Sequence, residues 1–419
     1  MKKSDLRKYA KLIACVGANV QKGQQVKLSV SVENSEFALM VVEECYKAGA
    51  SKVTIDWSVD GLGLLTYKYQ DLETLKIVEE WEIKKLERET ELLPARIFIS
   101  SSNPDGLKGI DQKKMMEVRQ VVGKITKPYR DAIDNKHQWT IAAMPGKEWA
   151  KKIFPDVSPN KAKEMLWKAI YKTARLDGDP IANWKKHNDN ITLKNKILND
   201  LNIKTLSYKS SNGTDFKVSL TGKTNFGGGH LDTLSGVTYN PNMPTEECYT
   251  SPDKYSACGV VYSTKPLSVM GNLVDNFGFR FEKGKVVEVL GDDKTKAILE
   301  KLVSIDEGAG YLGEVALVPY DSPVNQTGIL FYNTLFDENA CCHLAIGAGF
   351  EDTIKDFEKM TAEERKEVGL NDSMIHVDFM IGSSDLEITA ETFDGKIVKI
   401  FENGTWAIWG GKLWKLSFL

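Results

Sequence analysis

Gln24–Val32 reads Q-Q-V-K-L-S-V-S-V, and the residues around it set the class of the first half of the chain. Apolar and polar residues alternate here with the period of a strand that has one buried face. Asn34 then stands where a helix cap is wanted, and an amphipathic run continues through Ala48 to a stop at Gly49. Val53–Trp57 supplies the next strand. Outward from this unit, Ser4 can cap a helix over Asp5–Ala18, and strands are expected at Ala95–Ser101 and Gln138–Met144. Helical stretches fall at Leu72–Glu91, Ile110–Asn135 and Lys161–Leu176. Strands separated by helices predict a parallel, doubly wound sheet.

From about Thr205 the pattern changes to short strands and turns. Strands are expected at Asp215–Leu220, Val260–Ser263, Gly278–Glu282, Val286–Leu290 and Gly328–Tyr332, and helices at Lys294–Ile305 and Asn339–Gly347. The expected organisation is an α/β domain over 1–205 followed by a β-rich domain over 206–419, making the fold class α/β, or α+β overall. A chain of 419 residues is long enough for two cores.

The composition narrows the function classes. Hydrophobic residues make up 42% and charged residues 27%, the balance of a soluble globular protein. A net charge of −3 gives no reason to expect nucleic acid or an anionic membrane as a partner. No apolar run approaches the roughly 18 residues of a membrane span, and Lys11 interrupts any leader-like segment. The six cysteines, Cys15, Cys45, Cys248, Cys258, Cys341 and Cys342, show no disulfide framework spacing. The expected compartment is the reduced cytoplasm.

Candidate chemistry gathers in the second half. Two of the five histidines, His343 and His376, lie in segments that also carry acids: F-D-E-N-A-C-C-H over 336–343 and I-H-V-D-F-M over 375–380. On a strand, His376 and Asp378 would share one face while Ile375, Val377 and Phe379 take the other. An ordinary His–Asp hydrogen bond on an exposed face is the plainer account of that pair. Glu314 sits in the apolar run L-G-E-V-A-L over 312–317, where burial demands a partner and an edge strand would not. Glu338 and His343 are five apart, about 140° round a helix, and share a target only if Glu338 lies at or before the first turn. Asp337 as N-cap would allow that. Of the adjacent pair Glu246 and Glu247, at most one is expected in a buried site, since like charges repel, and a solvated turn is the default.

Taken together, Glu247, Glu314, Glu338, His343, His376 and Asp378 offer six oxygen and nitrogen ligands, a set that suits two divalent ions sharing a carboxylate. Such a pair generates hydroxide near neutral pH and clamps a carbonyl oxygen. A thiolate zinc site at Cys341 and Cys342 lacks a CxxC spacing. No GxSxG occurs, and the glycine run 227–229 before His230 does not continue into GxGxxG.

Four stretches, N-M-P-T-E-E at 242–247, L-G-E-V-A-L-V-P at 312–319, 328–343 and 369–384, in this order and spacing, resemble the thermophilic-type metallo-aminopeptidases. This is the group of aminopeptidase T, aminopeptidase II and the AmpS–PepS enzymes. Asp321-Ser322-Pro323 also fits. The resemblance implies an exopeptidase that removes N-terminal residues from small peptides using two divalent ions, Zn, Co, Mn or Mg. It implies metal ligands at Glu247 rather than Glu246, and at Glu314, Glu338, His343, His376 and Asp378, with Glu314 bridging. It also implies a β-rich C-terminal catalytic domain, a homodimer and an internal cavity. Glu246 is the candidate for proton transfer to the leaving amine, beside Glu314 as the catalytic carboxylate. One position departs: where the family carries a tyrosine seven residues after its ligand histidine, this chain has Phe350. A hydrolase of a non-peptide amide, or a low-activity metal-binding member, are the rival readings.

Overall fold

The computed structural model describes residues 1–269 and 271–408. Residues 409–419 of the expected C-terminal region lie outside the described residues. The chain divides into two compact units, Met1–His187 with His230–Pro244, and Asn188–Gly229 with Thr245–Leu419.

The first unit carries a four-stranded parallel sheet. Its order is Lys52–Ser58, Gln25–Ser31, Ala95–Ser100, Trp139–Ala143. The second strand in sequence lies on one side of the first and the later strands on the other, which is doubly wound topology. The alternation in 24–32 does what its period demands: Val26, Leu28 and Val30 are buried, and Phe37, Val41 and Cys45 of the helix Ser35–Lys47 are buried as well. The helix expected over Leu72–Glu91 is two, Leu72–Lys76 and Glu80–Leu92, the first capped by Asp71. Leu62–Tyr69 and Pro180–Asp200 are helices that the periodicity did not single out.

The second unit holds an eight-stranded sheet and a separate four-stranded sheet, both antiparallel throughout. The smaller sheet runs His376–Met380, His343–Gly347, Leu312–Leu317, Cys248–Thr250. One apolar core joins the two sheets: Val315, Leu344, Ile346 and Phe379 from the smaller meet Phe216, Val261 and Phe279 from the larger. The rings of Phe279 and Phe379 lie 5.1 Å apart, edge to face. The opposite face of the small sheet is therefore the one free to carry polar groups.

Two expected elements are different. Asn339–Gly347 is not a helix: the helix is only Thr334–Asp337, a tight turn covers Glu338–Ala340, and His343–Gly347 is a strand. Leu344 and Ile346 face the core with His343 and Ala345 on the other side, so a period of two decides the segment. Gly328–Tyr332 is not a strand. The N–H groups of Phe331 and Asn333 donate to the Asp337 carboxylate at 2.8 and 3.0 Å, which replaces ladder hydrogen bonds. Asp337 is accordingly the last residue of its helix and not its cap.

Candidate metal centre

Five of the six predicted ligands come together along the polar face of the four-stranded sheet; Glu338 lies on a turn beside it and in neither close group of ligand atoms. His376 and Asp378 point the same way because Val377 and Phe379 pack against the core. His343 does the same on the next strand, since Leu344 and Ile346 are core residues. Glu314 reaches this face through an irregularity. Leu312 pairs with Ile346 and Glu314 with Ala345, so Gly313 is an extra residue, a bulge. In plain alternation residues 312 and 314 would share a face; the bulge lets Leu312 stay in the core while Glu314 turns to the site. Only glycine fits there, because a Cβ on Gly313 would lie 2.1 Å from the Ala348 carbonyl oxygen. Glu314 is 4% exposed and lies in an inner strand, so the edge-strand reading is wrong.

Glu246 and Glu247 are both buried, each 7% exposed, so the solvated turn is also wrong. The 226–229 strap is pinned to this strand: Gly227 and Tyr249 exchange backbone hydrogen bonds at 2.9 Å. A Cβ on Gly228 would meet the Glu247 carbonyl oxygen at 2.2 Å, which accounts for glycine there. Glu338 enters from the Glu338–Ala340 turn. Its neighbour Asn339, fully buried, accepts the Glu246 N–H at 2.7 Å and donates to the Leu335 carbonyl at 3.0 Å. That amide ties the Glu246–Glu247 segment to the turn that bears Glu338.

Two overlapping groups result. Glu247, Glu314 and His343 present ligand atoms within 4.8 Å of one another, and so do Glu314, His376 and Asp378. Glu314 belongs to both. His343 Nε2 is 3.3 Å from Glu247, and His376 Nε2 is 3.1 Å from Glu314 and 3.2 Å from Asp378. The other ring nitrogen of each histidine faces a backbone carbonyl, of Cys341 at 3.4 Å and of Ala348 at 2.7 Å. A carbonyl accepts an N–H, so Nδ1 carries a proton in each ring and Nε2 is the atom turned to the acids.

The electrostatics of the cluster favour a bound cation. Burial pushes the Glu314 carboxyl up to about 7 against the pull of His376 and His343. Burial, then Asp378 and Glu247, raise Glu338 well above the carboxylate range. Burial works against charge on His343 and His376, yet the carboxylates outweigh it and push them up to about 10 and about 11. Burial opposes charge on Asp378 too, but His376 and His343 hold it low. Ionised together, buried Glu247, Glu314 and Asp378 and half-buried Glu338 would carry more negative charge than two protonated imidazoles offset, which is why Glu314 and Glu338 hold their protons where no cation is bound. Divalent cations fit this oxygen and nitrogen donor set. Thiolates do not contribute: burial pushes Cys341 up to about 11, and the Cys342 thiol donates to the Val318 carbonyl at 3.3 Å.

Several residues of the centre carried no mark in the sequence. Ala345 pairs with Glu314 on one side and Asp378 on the other, and its methyl leaves the space between them open. Tyr249 is another, packing edge-on at 5.5 Å against Phe350, the position already marked as departing from the family, whose ring lies 4.8 Å from that of His376. The Tyr249 hydroxyl donates to Asp352 at 3.0 Å. Tyr249 shares the polar face with Glu247, which the i, i+2 relation around buried Cys248 would have indicated. Among the described residues no helix is long and apolar enough to cross a membrane.

Similarity to known proteins runs over nearly the whole chain. Aminopeptidase AmpS of Bacillus subtilis is 43% identical over 404 residues, covering 96% of this chain and 98% of the relative. Aminopeptidase PepS of Streptococcus thermophilus is 40% identical over 409 residues, covering 97% and 98%. The solved structure of wild-type AmpT from Thermus thermophilus superposes with a TM-score of 0.89 at 34% identity, covering 97% of this chain and 100% of that one. The family described as thermophilic metalloprotease (M29) matches residues 2–406, and the chain belongs to that family and is a peptidase that uses divalent metal.

Proposed function

We propose that the protein is a two-metal aminopeptidase that releases N-terminal residues from small peptides. The observation that carries the reading is the membership of Glu314 in both buried ligand groups. In this reading Glu247 and His343 would hold one divalent ion and His376 and Asp378 the other, with Glu314 shared between them and Glu338 beside the set. Bound there, the ions would polarise the scissile carbonyl and activate water near neutral pH. Zn, Co, Mn and Mg all suit these donors, and availability selects among them.

The chain's own groups do the rest. The carbonyls of Cys341 and Ala348 hold His343 and His376 in the tautomer that presents Nε2. Asn339 fixes Glu246 beside Glu247, and the Glu246 carboxyl is the group proposed to pass a proton to the leaving amine. The excess of carboxylates gives the free α-ammonium of a peptide a counter-charge, which makes the enzyme an exopeptidase. The region 206–419 is the proposed catalytic half, and a cytoplasmic homodimer the proposed assembly. The aminopeptidase names of relatives matching nearly their whole length support this reading.

Phe350 favours a second reading, a member that binds metal and peptide but turns over slowly. One assay separates these. Leucyl and other aminoacyl p-nitroanilides are paired with their N-acetyl forms, after EDTA stripping and re-addition of each metal. Metal-restored cleavage of the free-amine substrates alone is expected. Cleavage of the blocked forms would point to a hydrolase of other amides, and metal rebinding without turnover to the slow member.

A further inference from the structure

A cavity of about 130 Å³ opens directly beside Glu338 and Asp378. Its walls come from three places. The hairpin of Leu267–Val269 and Asn272–Val274 brings Leu267 and Leu273, and the segment held by Asp337 brings Leu330. The His376 strand brings Met380, two residues past Asp378 and on the same face. Acids also line it, but they are engaged. Both Asp337 oxygens accept backbone N–H groups, and Glu338 and Asp378 belong to the ligand set proposed above. Ser268 and Thr334 add hydroxyls, Tyr332 a phenol and Asn333 an amide, all without charge, so the lining is apolar on one side and polar on the other.

We propose that this cavity receives the side chain of the substrate's N-terminal residue and selects an uncharged apolar group of leucine or methionine size. The inference rests on the aminopeptidase reading and deepens it. In a peptide whose α-amino group and scissile carbonyl both lie at the carboxylate cluster, the side chain between them branches off within a few ångströms. The recess that touches Glu338 and Asp378 is where it goes. The size limit follows from volume alone: about 150 Å³ is enough for one benzene ring, and this cavity is slightly smaller, while Leu267, Leu273, Leu330 and Met380 supply its apolar side. Leu330 is the partition. A larger hollow of about 640 Å³ shares Leu330 and Pro266 with the cavity and reaches exposed Asp321 and Gln326. Trimming Leu330 would join the two spaces, and enlarging it would fill the smaller one.

The test reads ratios of kcat/KM on alanyl, leucyl, tryptophyl and lysyl p-nitroanilides, with metal-loaded wild type, Leu330→Ala and Leu330→Trp. Wild type is expected to favour leucyl over alanyl by about tenfold or more, and over tryptophyl and lysyl as well. Leu330→Trp should lower the leucyl-to-alanyl ratio by about tenfold, and Leu330→Ala should raise the tryptophyl-to-leucyl ratio. Ratios that stay constant in both variants, or a wild-type preference for lysyl, overturn the pocket assignment while leaving an aminopeptidase. No cleavage of any free-amine anilide by metal-loaded wild type overturns the aminopeptidase reading and the pocket with it.

Discussion

Glu314 occupies a position that one residue cannot hold without help. A carboxylate buried to 4% exposure, with Glu247, Glu338 and Asp378 nearby, pays for burial only through shared positive charge. Glu314→Ala is therefore expected to release both ions and to lower kcat by more than about 100-fold. Metal analysis by mass spectrometry alongside the anilide assay checks it, and two tightly held ions in that variant would sink the bridging role. Phe350 makes the opposite prediction. Its ring lies against His376, so Phe350→Tyr adds a hydroxyl at the rim of the centre and is expected to raise kcat with little change in KM. A donor aimed at a developing oxyanion is worth about 10²–10³, and the gain should fall below that because the loop was not built around it. Glu314, His343, His376 and Asp378 stood out because acids and histidines are costly in apolar sequence, whereas Glu246 and Glu247 read as a solvated turn and only the resemblance marked Glu247. Asn339 and Ala345 did not stand out, since an amide and a methyl group acquire meaning only from what surrounds them.

At the scale of the element, Asn339 and Ala345 act through the pieces of backbone they join. Asn339→Ala would leave the buried Glu246 N–H without its acceptor, costing about 1–3 kcal/mol. Metal affinity should fall about 10–100-fold with it, measured by competition with a chelating dye. Ala345→Leu would push a branched side chain between Glu314 and Asp378, which flank it on neighbouring strands. Overpacking alone costs about 1–3 kcal/mol, and we expect metal binding to be lost while the circular dichroism spectrum stays that of the fold. Asp306 anchors the approach to the His376 strand, accepting from the Ser373 hydroxyl at 2.9 Å and the Met374 N–H at 2.7 Å. Partial burial opposes its charge, yet these donors and the Ala309 N–H hold it below the usual carboxylate range. A depressed folded pKa means its contribution is complete above the unfolded value of about 3.9 and is lost as pH falls through the lower folded value. Asp306→Asn should thus cost about 0.5–1 kcal/mol at neutral pH, and the gap from wild type should narrow as pH falls below the unfolded value of about 3.9, read from urea midpoints. The sequence showed such elements where period and caps agreed, as in Gln25–Ser31 and Ser35–Lys47. It misled at 339–347, where small and apolar residues following the acids of 337–338 suited a helix and the neighbouring strands favour an extended chain.

For the whole molecule, the site sheet shares one core with the larger sheet, so charge left on its polar face strains a structure that both sheets support. Metal removal is expected to lower the melting temperature, and re-addition to restore it in a concentration-dependent way. Ligand at about 100 times its dissociation constant is worth about 2.7 kcal/mol. A melting temperature indifferent to EDTA would mean the carboxylates are compensated from within the protein. The parallel sheet and the strand-rich second half were legible as classes, because each rests on local period. The sheet order and the shared core were not, because they depend on contacts between residues far apart in sequence.

The bulge at Gly313 carries a consequence for how such a centre can arise or vanish in descent. Side chains on a strand alternate like a two-letter reading frame, and one extra residue shifts that frame. Replacing Gly313 by a residue that cannot form the bulge would leave every acid and histidine of the centre in the chain and in the same order. Forced into plain alternation, positions 312 and 314 would compete for one face, so that either the leucine enters the site or the glutamate turns inward toward the phenylalanines. A catalogue of ligand residues would score such a descendant as intact. Only the missing glycine would reveal that the centre had been switched off.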